Sequence, residues 1–140
     1  LRVVLVHPHI EVLTAEARRL VAESQFTIGQ VVANLGNVAA LVTALHRDDL
    51  ALFARSISDA LVEPIRAPLV PSYDVVKRAA LDAGALGCSI SGSGPSVLAF
   101  ADSDAAADRV ATAMVAAFAA AGLASDRYGG PVNARGAQVL

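Results

Sequence analysis

The 140-residue chain has no tryptophan, one cysteine and one methionine, and Phe, Tyr and Trp together make up 4% of it. The lone Cys88 excludes an internal disulfide framework, and with it an extracellular fold held by cross-links, so a reducing cytoplasm is the expected setting. Charge is sparse as well. Asp, Glu, Lys and Arg account for 17% of the residues, against about 25% in a typical soluble domain. Eleven basic residues against thirteen acidic ones leave a formal charge of −2. That balance excludes a basic arm for nucleic acid and an acidic disordered tail. There is no internal repeat, no low-complexity linker and no sign of a second domain. The apolar run Leu1 to Val6, interrupted by Arg2, is too short for a signal peptide. The chain opens at Leu1 inside what reads as a strand, so further residues are expected upstream.

What is present is apolar and small. Hydrophobic residues form 55% of the chain and the mean hydropathy is +0.55. With so much alanine and so few rings, the core must be built by closely approaching helices rather than aromatic anchors. The length suits one domain that buries roughly two-thirds of its unfolded surface. Ser24 to Leu45 holds no Asp, Glu, Lys, Arg or His, and a bilayer needs about 20 such residues. The same stretch carries Gln25, Thr27, Gln30, Asn34, Asn37 and Thr43, whose amides and hydroxyls hydrocarbon would leave unpaired. The expectation is a helix buried inside protein, with no membrane.

Periodicity gives the order of elements. Arg2 to His7 reads as a strand ended by Pro8. Thr14 can cap a short helix containing Glu16, Arg18 and Leu20, and a longer helix runs from about Thr27 to Leu45. Asp48 is placed to cap a third, with Leu50, Phe53, Ala54, Ile57 and Leu61 as its stripe and Pro64 as its stop; Arg66 lies just beyond. Ser72 can cap a fourth helix carrying Val75, Val76, Ala79 and Ala83 and ending at Gly84. Cys88–Ile90 and Val97–Phe100 alternate as strands around Ser91 to Ser96. Ser103 or Asp104 starts a long helix with Val110, Met114, Ala117, Phe118 and Ala121 inward and Gly122 at its end. Two strands near Asp126 to Asn133 and Gly136 to Leu140 finish the chain. Closely consecutive strands predict an antiparallel sheet with helices on one face, an α+β sandwich.

Three groups of residues could carry chemistry. Gly92 and Gly94 lack the Cβ atoms that keep a backbone from approaching a ligand, although by themselves they more often mark a tight turn between strands. The loop matches neither the P-loop nor the dinucleotide fingerprint. Arg18 and Arg66 stand at helix edges in a chain with few charges, where a guanidinium can hold a carboxylate by two parallel bonds or lie solvated. Asn34 and Asn37, one turn apart, need a polar ligand or neighbouring backbone as partners. His7, His9 and His46 have no metal-ligand spacing with one another or with Cys88, which reads as a small core residue, so no metal site is expected.

Several segments then fall into a recognisable order: His7-Pro8-His9, Leu13 to Arg18, Val62-Glu63-Pro64-Ile65-Arg66, Gly87 to Ser96, and Ala134-Arg135-Gly136-Ala137. Together they resemble the C-terminal half of the GHMP family of small-molecule kinases, and within it the branch that phosphorylates homoserine. The resemblance implies a ferredoxin-like α+β sandwich over residues 1–140, as the single C-terminal domain of a protein whose N-terminal kinase domain binds ATP and Mg²⁺. It implies transfer of the ATP γ-phosphoryl group to the hydroxyl of L-homoserine, giving O-phospho-L-homoserine for threonine biosynthesis. Arg18 and Arg66 would grip the substrate carboxylate, with Thr14 and Asn37 nearby, and Gly92, Ser93 and Gly94 would support the phosphate loop. The family's phosphate loop, Pro-x-x-x-Gly-Leu-x-Ser-Ser, does not occur in these residues. No catalytic residue is therefore expected in this chain, which alone should be inactive. The resemblance also makes a homodimer an expectation. Two other readings stay open: a GHMP kinase for a mevalonate-like anion, and a non-catalytic domain for amino-acid binding or dimerisation.

Overall fold

A computed structural model describes residues 1–133, 135 and 136 of the chain. The alternating run Arg2–Pro8 forms strand β1, with Val4, Val6 and Pro8 buried and the residues between them half exposed. Strands β2 (Gly87–Ile90), β3 (Val97–Ala101) and β4 (Ser125–Pro131) complete an antiparallel sheet in the order β2-β3-β1-β4. The registers Val6↔Val97, Val4↔Ala99 and Cys88↔Ala99 place these side chains on one face. Helices α5 (Tyr73–Asp82) and α6 (Asp104–Ala120) lie on that face, where Val76, Ala80, Val110, Met114 and Phe118 fill the core. The expected architecture, an antiparallel sheet covered by helices, is the one found. Alanines at 80, 99 and 111 provide the close approach in place of rings. Ser103 caps α6, accepting from the Ala106 N–H, and left-handed Gly84 and Gly122 follow α5 and α6 as expected. Ala121, expected inward, is exposed.

The opposite face is partly covered. Helix α3 (Leu50–Ser56) sets Phe53 edge-on against Phe100, ring centroids 5.2 Å apart. Ile57 lies over Gly87 so closely that an added Cβ would come within 2.5 Å of it, so only glycine fits there.

Several expectations for residues 14–75 need correction. Helix α1 (Thr14–Glu23) begins at the expected residue, but Leu13 occupies the capping position and Thr14 is the first helical residue. Helix α2 (Ile28–Arg47) starts as expected, with a reciprocal capping box between Thr27 and Gln30. It is not buried: Ile28 is 84% exposed, Leu35 65% and Val42 51%, and Ala44 is its one buried residue. The cause lies in its polar flank. Asn34 Oδ1 accepts from the Ala60 N–H and Asn37 Nδ2 donates to Ser58 O. These bonds turn the amide flank toward α3 and the loop after it, leaving the apolar stripe outward. By length and composition α2 could cross a membrane.

Asp48 does not cap α3. It ends α2 in the left-handed conformation (φ 51°), and Asp49 caps α3 by accepting from Leu52 N. Helix α3 stops at Ser56, short of Ile57 and Leu61, because the Asp59 carboxylate winds the next turn by accepting from the N–H groups of Leu61, Val62 and Glu63. Pro64 then sits in the first turn of α4 (Glu63–Arg66), where its missing N–H costs nothing. A 3₁₀ turn, Ala67–Leu69, leads toward α5. Ser72 precedes α5 with φ 61° and makes no side-chain cap bond, and Val75 is 59% exposed. The strand expected near Gly136 to Leu140 lies outside the described residues.

Candidate functional site

Three segments meet beside the end of the β2–β3 hairpin. The loop Ser91 to Ser96 is closed by Ser91 N–H donating to Ser96 O (2.8 Å) and Gly94 N–H to Ser91 O (3.1 Å). Gly92 and Gly94 both have positive φ, 61° and 83°. The turn therefore demands glycine, and the space where a Gly92 Cβ would stand is open. Helix α4 reaches this loop through Arg66, whose Nη1 donates to Gly92 O at 2.7 Å. Its Nε is buried without a partner. Helix α1, packed against α4, reaches it through Thr14, whose Oγ1 lies 3.3 Å from Ser93 Oγ. Arg18 is one turn farther along α1, on the same face as Thr14. It is exposed and, among the described residues, has no hydrogen-bond or ion-pair partner.

The structure thus joins Thr14, Arg66, Gly92 and Ser93 by direct bonds, with Gly94 in the same turn and Arg18 on the helix that Thr14 starts. Asn37 is not joined to them. It lies on α2 along a separate groove of about 380 Å³, lined also by Asn34, Leu41, Ser89 and Phe100, and its amide nitrogen is committed to Ser58 O.

The sequence reading missed the group that holds Arg66 in place. One turn before it on α4, Glu63 pairs with Lys77 of α5 and accepts from Ser89 Oγ of β2 at 2.8 Å. Lys77 Nζ also stands 5.9 Å from the centroid of the Tyr73 ring. Buried beside this carboxylate, the Tyr73 hydroxyl has no hydrogen-bond partner; burial first and the Glu63 charge second raise its pKa above the ordinary tyrosine value. Burial pushes the Cys88 thiol up to about 12, with Lys77 opposing, which fits a core residue rather than a nucleophile. His7, for which the spacing indicated no metal role, has its Nδ1 2.8 Å from Ser96 Oγ and ties β1 to the glycine loop. The spacing of Glu63 three residues before Arg66 was a usable signal. Nothing local marked Lys77 or Ser89.

Chemically, the site offers an unpaired guanidinium on Arg18, a half-used one on Arg66, and two hydroxyls. This set suits a small carboxylate. Among the described residues no group of three or more His, Cys, Asp or Glu is placed to hold a metal ion.

Comparison with known proteins identifies the family. The family profile described as GHMP kinases C terminal matches residues 41–120, more than half of the chain. The chain belongs to the GHMP kinase family. Among curated GHMP relatives, a homoserine kinase from Chloroherpeton thalassium is 48% identical over 137 residues, covering 97% of this chain and 43% of the relative. A homoserine kinase from Chlorobaculum tepidum is 46% identical over 138 residues, with 97% and 42% covered. The crystal structure of a homoserine kinase from Cytophaga hutchinsonii superposes with a TM-score of 0.91 at 48% identity, over 94% of this chain and 42% of that one. The chain spans about two-fifths of the length of these GHMP relatives.

Proposed function

We propose that this chain is the substrate-gripping C-terminal part of a homoserine kinase, which transfers the γ-phosphoryl group of ATP to the hydroxyl of L-homoserine and yields O-phospho-L-homoserine for threonine biosynthesis in the cytoplasm. The observation that carries this reading is the bond from Arg66 to Gly92 O beside α1, which draws a guanidinium, the glycine loop and the helix bearing Arg18 into one place. The relatives of similar sequence support the choice of substrate.

Phosphoryl transfer asks the protein chiefly for positioning and charge stabilisation. Arg18 and Arg66 hold the homoserine carboxylate, Arg66 using the donors that Gly92 leaves free, and Thr14 contributes a polar contact beside the amino acid; Asn37, committed to Ser58 O along a separate groove, takes no part in this clamp. A hydroxyl only a few bonds from that carboxylate is thereby aimed at the γ-phosphate. Gly92, Ser93 and Gly94 bring a turn without bulk against the phosphate loop of the N-terminal kinase domain. ATP and Mg²⁺ are held mainly by that domain, where the cation neutralises charge on the transferring phosphate. The donors in the present chain suit the carboxylate and not the metal.

Steady-state kinetics of the full-length enzyme test the assignment. Each charge-assisted bond contributes roughly 1.5–3 kcal/mol, so Arg18→Ala and Arg66→Ala are each expected to raise the homoserine KM about tenfold or more, with a much smaller change in the ATP KM for Arg18→Ala. Unchanged homoserine KM in both variants refutes the clamp.

A further inference from the structure

The glycine turn has little of its own to hold it in place. Glycine restricts the backbone least of all residues, and two of them stand in the turn at positive φ, Gly92 at 61° and Gly94 at 83°. A Cβ at Gly92 would meet nothing within 4 Å, so packing does not fix the tip. Its position depends on bonds from neighbouring elements. Three reach it: Arg66 Nη1 donates to Gly92 O, Thr14 Oγ1 lies 3.3 Å from Ser93 Oγ, and His7 Nδ1 lies 2.8 Å from Ser96 Oγ.

These three are not equivalent. Arg66 belongs to the carboxylate clamp, and the Thr14 contact is long and exposed. The His7 bond is short and partly buried, and it comes from β1, which pairs with β3 on one side and β4 on the other. Ser96 joins this anchor to the turn itself. Its carbonyl accepts from the Ser91 N–H and so closes the turn, while its hydroxyl meets the imidazole. Asp126, opposite His7 on β4, is engaged by His9 Nε2 at 2.9 Å, so among the described residues the His7 ring serves Ser96 alone. An interior strand thereby sets the base of a pliant turn, as a supporting hydrogen bond must if a site is to keep its geometry.

We propose that His7 is a positioning residue: through Ser96 it sets where Gly92, Ser93 and Gly94 stand, and hence how closely the turn supports the phosphate loop of the N-terminal domain. For the partner of the turn, the inference rests on the kinase reading above. His7 acts on the nucleotide side of the reaction rather than on the amino acid, because Arg66 is held separately through the pairing of Glu63. Displacing a reacting group by about 1 Å can slow a reaction on the order of 100-fold. A slackened turn should therefore be felt in the rate, whereas a side chain that merely fills the strand end would leave the kinetic constants alone.

Kinetics and amide exchange of the full-length enzyme test this together. His7→Ala should lower kcat/KM for ATP about tenfold and keep the homoserine KM within about threefold of the parent. Ser96→Ala should do the same, and the double variant should be no slower than either single one, because both changes remove one bond. His7→Asn, whose amide can stand where Nδ1 does, should recover most of the rate. In His7→Ala, exchange at the Ser91 and Gly94 amides, whose bonds close the turn, should accelerate about tenfold. His9→Ala, two residues along and outside the turn, should match the parent in every reading. Parent-like kinetics in His7→Ala overturn the proposal. So do losses that multiply in the double variant, and so does an equal loss in His9→Ala, which marks a general loosening of the strand end. If the parent phosphorylates no homoserine, it is the kinase reading that fails, and exchange still decides the tether: unchanged Ser91 and Gly94 amides in His7→Ala refute it.

Discussion

Arg66 can serve a carboxylate only if its own helix is held still, and a four-residue helix cannot do that by itself. Its stability comes from Glu63, whose two oxygens are divided between Lys77 and Ser89. The Glu63 and Lys77 side chains are 12% and 27% exposed, so neither ion is well hydrated. Removing one partner of such a pair leaves the other charge stranded, at a cost of about 3–5 kcal/mol when fully buried and somewhat less here. Glu63→Ala is therefore expected to lower the urea-unfolding free energy by about 2–3 kcal/mol, and the double variant Glu63→Leu, Lys77→Met to recover most of that loss. A single variant as stable as the parent refutes the role. Arg18 and Arg66 were legible as candidates because charged residues are scarce. The pairing that steadies Arg66 was not, since Lys77, the one lysine of the chain, lies on another element and on an amphipathic helix reads as a solvated cation.

At the scale of elements, legibility followed how local the cause was. The alternation of Val4 and Val6, the inward stripe Val110, Met114 and Phe118 of α6, and the glycines after α5 and α6 are set by period and by backbone conformation, and each lies where the pattern puts it. The orientation of α2 was hidden, because three-and-four spacing tells which side chains share a face and not which neighbour covers it. Pro64 misled for a related reason: it ends a helix from one side and begins one from the other, and Asp59 decides between them. That carboxylate accepts three backbone N–H groups at 2.8, 3.0 and 3.1 Å and so replaces a helical turn between α3 and α4. Hydrogen bonds to a charged acceptor contribute about 1.5–3 kcal/mol in favourable sites, so Asp59→Ala should destabilise the chain by about 2–3 kcal/mol. Amide exchange should accelerate first at Leu61, Val62 and Glu63. A loss spread evenly over the whole fold, with no local acceleration at these amides, contradicts this account.

At the scale of the whole molecule, the proposed clamp and the glycine turn would form only the substrate side of a phosphoryl-transfer site. Positioning accelerates a reaction only when both reactants are held together. The 140 residues supply the proposed carboxylate clamp but no Pro-x-x-x-Gly-Leu-x-Ser-Ser run to cradle the phosphates of ATP. A bound hydroxyl therefore has no γ-phosphate presented to it. This polypeptide, expressed alone, is expected to give no homoserine-dependent ADP release above background in a coupled assay, even at millimolar homoserine and ATP. Adding the separately produced N-terminal part of the protein should restore turnover, because the glycine turn of Gly92, Ser93 and Gly94 then has a phosphate loop to support. With Arg66→Ala in the C-terminal part, the restored turnover should need about tenfold or more homoserine to reach half its maximum. Turnover by the isolated 140 residues contradicts this division of labour, since it would require phosphate-binding and catalytic groups that the chain has been read as lacking.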